Sequence, residues 1–161
     1  MTRTRFQIIV ASLTTVVIGV ALVWGFLIVG SPFAARLRKI DERRVDDLRT
    51  IHSAIQRMVT ERVDTKVRLK RPLPKTLDDV AAYVQSEQDQ KKPRLHDPDT
   101  NEAYAYKVRS ETEYELCATF ASVRDQKQDL FWNHPAGPRC FVFDAVEDET
   151  KRLAVSGMRA R

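Results

Sequence analysis

Glycine, histidine and cysteine are scarce in this 161-residue chain, at five, three and two residues, and the stretch from Phe6 to Gly30 carries no charge of either sign. Each shortage excludes something. No Gly-rich loop is present to cradle a phosphate, and there is no nucleophile elbow or zinc-protease helix. The histidines, His52, His96 and His134, lie far apart in sequence and form no His-x-x-x-His pair, and Cys117 and Cys140 form no Cys-x-x-Cys pair, so zinc-site spacing is missing. Catalytic, cofactor-binding and metal-ligating residues are therefore not expected, and the chain reads as something other than an enzyme.

What is present begins with the uncharged stretch. Ile8, Ile9, Val10, Leu13, Val16, Val17, Ile18, Val20, Leu22, Val23, Trp24, Phe26, Leu27, Ile28 and Val29 give it a continuous apolar character. As a helix it is about 37 Å long, more than the ~30 Å hydrocarbon layer of a bilayer, so residues 6–30 read as a transmembrane helix. A secretory apolar region is shorter, ~7 to 15 residues, and the weak cleavage pair Val29 and Ser31 is followed directly by Pro32. Ala11, Thr15 and Gly19, like Ala21 and Gly25, recur every fourth residue, a spacing that lets a second helix approach; ordinary small-residue content in lipid is the competing explanation. The organisation is then a basic tail at 1–5, the span, an α+β domain at 31–146, and a polar tail at 147–161 with no core-facing pattern, as in a disordered segment.

The net charge of +5, the pI near 9.4 and a mean hydropathy of −0.39 describe a polar, basic remainder. Its densest basic run is Lys66, Arg68, Lys70, Arg71 and Lys75, interrupted by Pro72 and Pro74 and without an aromatic residue on which a base could stack. Nucleic acid is not the expected partner. Anionic lipid headgroups suit the run better.

Ser31 and Pro32 read as an N-cap and first helical residue. Val45, Leu48, Ile51, Ile55, Met58 and Val59 form an apolar stripe, with Glu42, Arg43, Asp46, Asp47, Arg49, Thr50 and Arg57 on the remaining arc, and Pro72 places the helix end between Val63 and Val67. A third helix is expected from Thr76, its N-cap, to Gln85, with Leu77, Val80, Ala81 and Val84 apolar. Alternation then predicts a hairpin through Tyr104, Tyr106 and Val108 and through Tyr114, Leu116, Ala118 and Phe120, its turn around Arg109 to Glu113, and a further strand from Cys140 to Phe143. His52 is expected on the helix surface, and His96 and His134 in turns near prolines. Asp97, Asp99 and Asn101 imitate the start of a calcium loop, but Glu102 replaces its glycine and Val108 its bidentate glutamate, so a turn is the better reading.

Asp47 to Ile55 (Asp-Leu-Arg-Thr-Ile-His-Ser-Ala-Ile), Leu73-Pro74-Lys75-Thr76-Leu77, and Asp97 to Tyr106 with its Asp-Pro turn leading into Tyr-x-Tyr resemble successive landmarks of type II secretion major pseudopilins and related type IV pilin-like proteins. These segments cover about a seventh of the chain. The resemblance implies an α+β fold in which an N-terminal transmembrane helix runs into a long amphipathic helix packed on a small antiparallel sheet. Pseudopilins bind calcium in their C-terminal region. Tyr114 to Phe120 also resembles a motif of uncharacterised bacterial single-pass membrane proteins with a similar domain. The chain departs from the family where its precursors are cut: Arg3-Thr4-Arg5-Phe6-Gln7-Ile8 replaces the Gly-Phe-Thr-Leu site, and no glutamate enters the span. A pilin-like domain on an ordinary anchor follows, rather than a processed filament subunit.

Cys117 and Cys140 fall in separate expected strands. They are candidates for a disulfide, which needs an oxidising compartment; two buried thiols, or a metal site with His134 or His96, are the alternatives. Orientation is contested within the sequence. Arg36, Arg38, Lys39, Arg43 and Arg44 outnumber Arg3 and Arg5 across the span and favour a cytoplasmic domain, while the resemblance, the cysteine pair and the weak hold of loop charge over a long domain favour the opposite. The expectation is a single-pass protein of the inner (cytoplasmic) membrane with an extracytoplasmic C-terminal domain. Its function is that of a non-enzymatic structural or protein-interaction module whose partners are membrane lipid, another envelope protein or a second copy of itself. The alternative is a cytoplasmic-facing anchor whose basic loop binds anionic lipid or a regulatory partner.

Overall fold

The computed structural model describes residues 3–29, 31–64, 66–86 and 92–150. Helix α1 covers Arg3–Val29 and helix α2 Pro32–Val59. Packing divides the chain into two units that meet between Leu37 and Arg38, inside α2.

In the first unit, the 20 residues Phe6–Gly25 have a mean hydropathy of 2.4 and none is buried. Ser12, Thr14 and Thr15 donate their hydroxyl protons to the carbonyls of Ile8, Val10 and Ala11, at 2.8, 2.8 and 2.9 Å. Their polar atoms thus need no water, which suits a lipid surround. This helix is long and apolar enough to cross a membrane, and a signal sequence shares both properties.

The second unit is built on the rest of α2. Val45, Leu48, Ile51, Ile55 and Val59, in steps of three and four, are fully or almost fully buried, as is Ala54 beside them. Burying each Leu or Ile contributes about 1.5–3 kcal/mol relative to exposure. They join Tyr114, Leu116, Ala118 and Phe120 of β4 (Glu113–Phe120) and Phe141 and Phe143 of β5 (Gly137–Asp144) in one core, with Leu77, Val80 and Val84 of α3 (Leu77–Ser86) beside them. The sheet is antiparallel in the order β3-β4-β5, with β3 at Ala105–Val108. Its pairs include Tyr106 with Leu116, Leu116 with Phe141, and Cys117 with Cys140. Alternation puts Tyr114, Leu116, Ala118 and Phe120 on the core face and Glu113, Glu115, Cys117 and Thr119 on the other. Capping of α3 follows the expected chemistry: Thr76 Oγ1 accepts from the Asp79 amide at 3.3 Å, and Asp79 Oδ2 accepts from the Thr76 amide at 3.0 Å.

Several expectations need correction. Helix α2 stops at Val59, four residues or more before the expected end, and Thr60–Val63 (β1) pairs with Lys66–Leu69 (β2) as a separate hairpin. The β-branched residues Val59, Thr60, Val63 and Val67 favour the extended form, and Asp64 takes the left-handed conformation, φ 56°, that turns the chain. Asp47 is buried rather than on the polar arc. Strand β5 begins at Gly137, three residues before the expected Cys140. Residues 145–150, partly within the expected polar tail, are helical, and 151–161 lie outside the described residues, as does the stretch 87–91.

Candidate functional site

Polar groups gather where α2 meets the Asp-Pro turn and the end of β4. Arg44 grips Asp97 with two bonds, Nε to Oδ2 at 2.6 Å and Nη2 to Oδ1 at 3.0 Å, and its Nη1 donates to Asp41 Oδ1 at 2.8 Å. Asp41 also accepts from the Ala121 amide, 2.9 Å, and from the amide and hydroxyl of Ser122, 2.7 and 2.6 Å, so one carboxylate fastens the start of the core helix to the chain leaving β4. Asp97 organises its own turn by accepting from the amides of Asp99 and Thr100, at 2.8 and 3.1 Å. One helical turn along, Asp47 accepts from Arg94 Nε at 3.0 Å and from the Tyr104 hydroxyl at 3.1 Å. Asp41, Arg44, Asp47 and Asp97 are all buried, and a cavity of about 480 Å³ opens beside them, lined by Arg44, Asp97, Tyr104, Cys117 and Phe120 among others.

Electrostatics fixes the charge state of this cluster. Burial opposes ionisation of Asp41, but hydrogen bonds from Ser122, the Ala121 amide and Arg44 outweigh it and hold the carboxyl below its usual range. Asp97 behaves alike, with burial outweighed by Arg44 and the Asp99 and Thr100 amides. The bond to Asp97 keeps Arg44 protonated more firmly than a free guanidinium. Burial first, and the charge of Asp47 second, raise the Tyr104 hydroxyl. Burial lowers the His134 imidazole, which stacks on Phe120 with ring centroids 3.6 Å apart and donates from Nδ1 to the Pro135 carbonyl, 3.1 Å. Each of these shifts moves its group away from proton exchange near neutral pH. The Asp41, Arg44 and Asp97 charges clamp the segments that carry them.

Between β4 and β5 the chain makes an excursion, residues 121–136, that carries exposed apolar side chains. Leu130, Val123 and Phe131 are 71, 68 and 52 % exposed. Beneath them Asp129 pairs with Arg124, 2.9 Å, and with Arg49 of α2, whose guanidinium also lies over Trp132 at 5.2 Å. The excursion is closed at its base by the pairing of Phe120 with Gly137, and a disulfide between Cys117 and Cys140 links the same two strands three pairs further along.

The residues singled out in the sequence are thus dispersed. Cys117 and Cys140 meet; Cys140 is exposed and Cys117 half-buried, on the face away from the core. Lys66 and Arg68 lie on β2 and Lys70, Arg71 and Lys75 follow it, with Arg68 bonded to Glu61 at 2.8 Å and Arg71 over the Tyr83 ring at 5.5 Å. His52, expected on the helix surface, is half-buried at the edge of the apolar stripe: its Nδ1 is 2.7 Å from the Tyr114 hydroxyl, and its ring stacks on Phe143 at 4.3 Å. His134 is buried rather than in an open turn. Both oxygens of Asp97 are occupied by Arg44 and backbone amides, so the turn is held by protein groups at the place where a calcium loop would bind its ion. Missed altogether was the Asp41–Arg44–Asp97 clamp. Its signal was present: positions 41 and 44 continue the 48, 51, 55 stripe backwards, which puts charge on the buried face.

Compared with family models, with curated proteins and with solved structures, the chain matches none.

Proposed function

We propose that this protein is a single-pass, membrane-anchored interaction module: a pilin-like, non-catalytic domain held outside the cytoplasmic membrane, presenting the 121–136 excursion to another envelope protein. The observation that carries the reading is the pairing of an entirely exposed apolar helix of 20 residues, Phe6–Gly25, with a separate compact unit. Such a surface is stable only in lipid. The disulfide supports an oxidising side of the membrane. Leu130 and Phe131, exposed on a loop braced by the Arg49–Asp129–Arg124 pairs, supply apolar contact area on a firm base. The resemblance to pseudopilins supports the architecture, and the missing processing site and intramembrane glutamate support a role other than filament subunit.

Lys127→Cys, in the exposed part of the excursion, tests the arrangement. A membrane-impermeant maleimide should label it in spheroplasts without lysis. Labelling only after lysis would replace this reading by the cytoplasmic-facing one. A photoreactive residue at the same position should give a discrete adduct that Leu130→Ser with Phe131→Ser abolishes, and an adduct indifferent to those changes would remove the excursion from the contact surface.

A further inference from the structure

The Cys117–Cys140 bond joins two strands that already pair, on the exposed face of the sheet. Strands β4 and β5 already pair along their full eight-residue lengths, and the core packs on their other face. On the disulfide's face no described element covers the sheet: Ala105, Thr119, Pro138, Cys140 and Val142 are exposed. Strand β5 is the sheet edge, with no strand beyond it among the described residues. The bond therefore runs from the central strand towards an open edge, with Ala105 opposite Cys117 on the closed side. Cys117 in addition lines the cavity of about 480 Å³.

We propose that Cys117–Cys140 is a site of thiol–disulfide exchange in the folded protein, taking the dithiol of a reductant or oxidoreductase at the Cys140 sulfur. The attacking thiolate forms a mixed disulfide with Cys140 while the Cys117–Cys140 bond breaks and its electron pair leaves on Cys117, which takes a proton from water. The second thiol of the reagent then attacks its own bonded sulfur and releases Cys140. The protein gains two electrons and two protons, and the dithiol becomes a disulfide. In reverse the same steps install the bond. Attack at Cys140 is favoured by exposure: Cys140, on the edge strand, is exposed, whereas Cys117, on the central strand, is half-buried. Exchange removes the cross-link between β4 and β5 and leaves their backbone pairing and core face in place. The chemistry holds whichever side of a membrane the domain occupies, so it stands or falls separately from the proposed function.

The test uses the full chain in detergent micelles, reduced by dithiothreitol at pH 8 over a series of urea concentrations below the unfolding transition, with maleimide quenching and mass readout. The expected rate is first order in dithiothreitol and constant within about twofold across the series, as for a bond attacked in the native state. A rate that is negligible without urea and climbs in step with global unfolding would overturn the proposal. Glutathione, a monothiol, identifies the attacked sulfur: the mixed disulfide trapped early by acid quenching and mapped by mass after digestion should carry glutathione mainly on Cys140. Glutathione equally or mainly on Cys117 would overturn the assignment to Cys140.

Discussion

Arg44 is the side chain on which most others depend, because it holds two carboxylates from segments more than fifty positions apart, Asp41 beside it and Asp97 across the fold. Removing one member of a buried ion group leaves the rest uncompensated, at a cost of about 3 kcal/mol. Arg44→Leu and Asp97→Asn should each lower stability by about that much in urea unfolding of the solubilised chain, and the double variant should cost clearly less than the sum. Losses under about 1 kcal/mol would mean that the cluster is solvated and not a clamp. Acid sensitivity follows from the same atoms. Asp41 and Asp97 titrate below their unfolded values, so at pH just under 4 the unfolded chain binds more protons than the folded one. Their contribution is complete above that range and is lost as pH falls through the folded pKa values. His134, also depressed, starts the decline earlier: its stabilisation is full above about 6.5 and shrinks as the unfolded imidazole charges. His134→Phe, which preserves stacking on Phe120, should flatten the stability profile between pH 6.5 and 5 and leave the steeper fall below 4. A profile unchanged in the upper range would show that His134 protonates equally well when folded.

Among the elements, α2 and the sheet were legible for a simple reason: each announces itself by the period of its apolar residues, three to four in Val45–Val59 and two in Tyr114–Phe120. Ile51→Ala, at the centre of the helical stripe, should therefore cost about 2–5 kcal/mol. Thr76→Ala should cost about 1 kcal/mol, because it removes only a cap from α3. Differential thermal unfolding ranks the two, and a cap loss as large as the core loss would contradict the packing described. Less legible was the β1–β2 hairpin. Its short, charged strands hold no fully buried residue and carry no core stripe, so Thr60–Val63 reads equally well as a fraying helix end. The clamp was hidden for a different reason. A charge on a buried helix face is interpretable only with its partner in view, and Asp97 and Ala121 are distant in sequence. The disulfide fell between: its two strands were foreseeable, but their neighbourhood was a matter of sheet order. Closing a loop with a sequence separation of 23 residues stabilises by roughly 3 kcal/mol in the chain-entropy description, so the reduced chain should still fold and unfold at lower urea.

At the level of the whole molecule, the apolar helix and the compact unit make opposite demands of solvent. From Phe6 to Gly25 every side chain is exposed, while the second unit buries its apolar stripe and keeps its charges outside or paired. The helix calls for an apolar surround and the second unit for water, which is the division that the proposed anchoring supplies. Cleavage of the helix as a signal would instead release the second unit into solution. The most direct measurement is therefore fractionation of cells producing the full chain, followed by alkaline carbonate washing and mass determination of the recovered protein. The account predicts an intact chain of 18.5 kDa that stays in the membrane pellet and is released only by detergent. Recovery of a shortened chain lacking the apolar helix, or of the intact chain in the detergent-free supernatant, would contradict it.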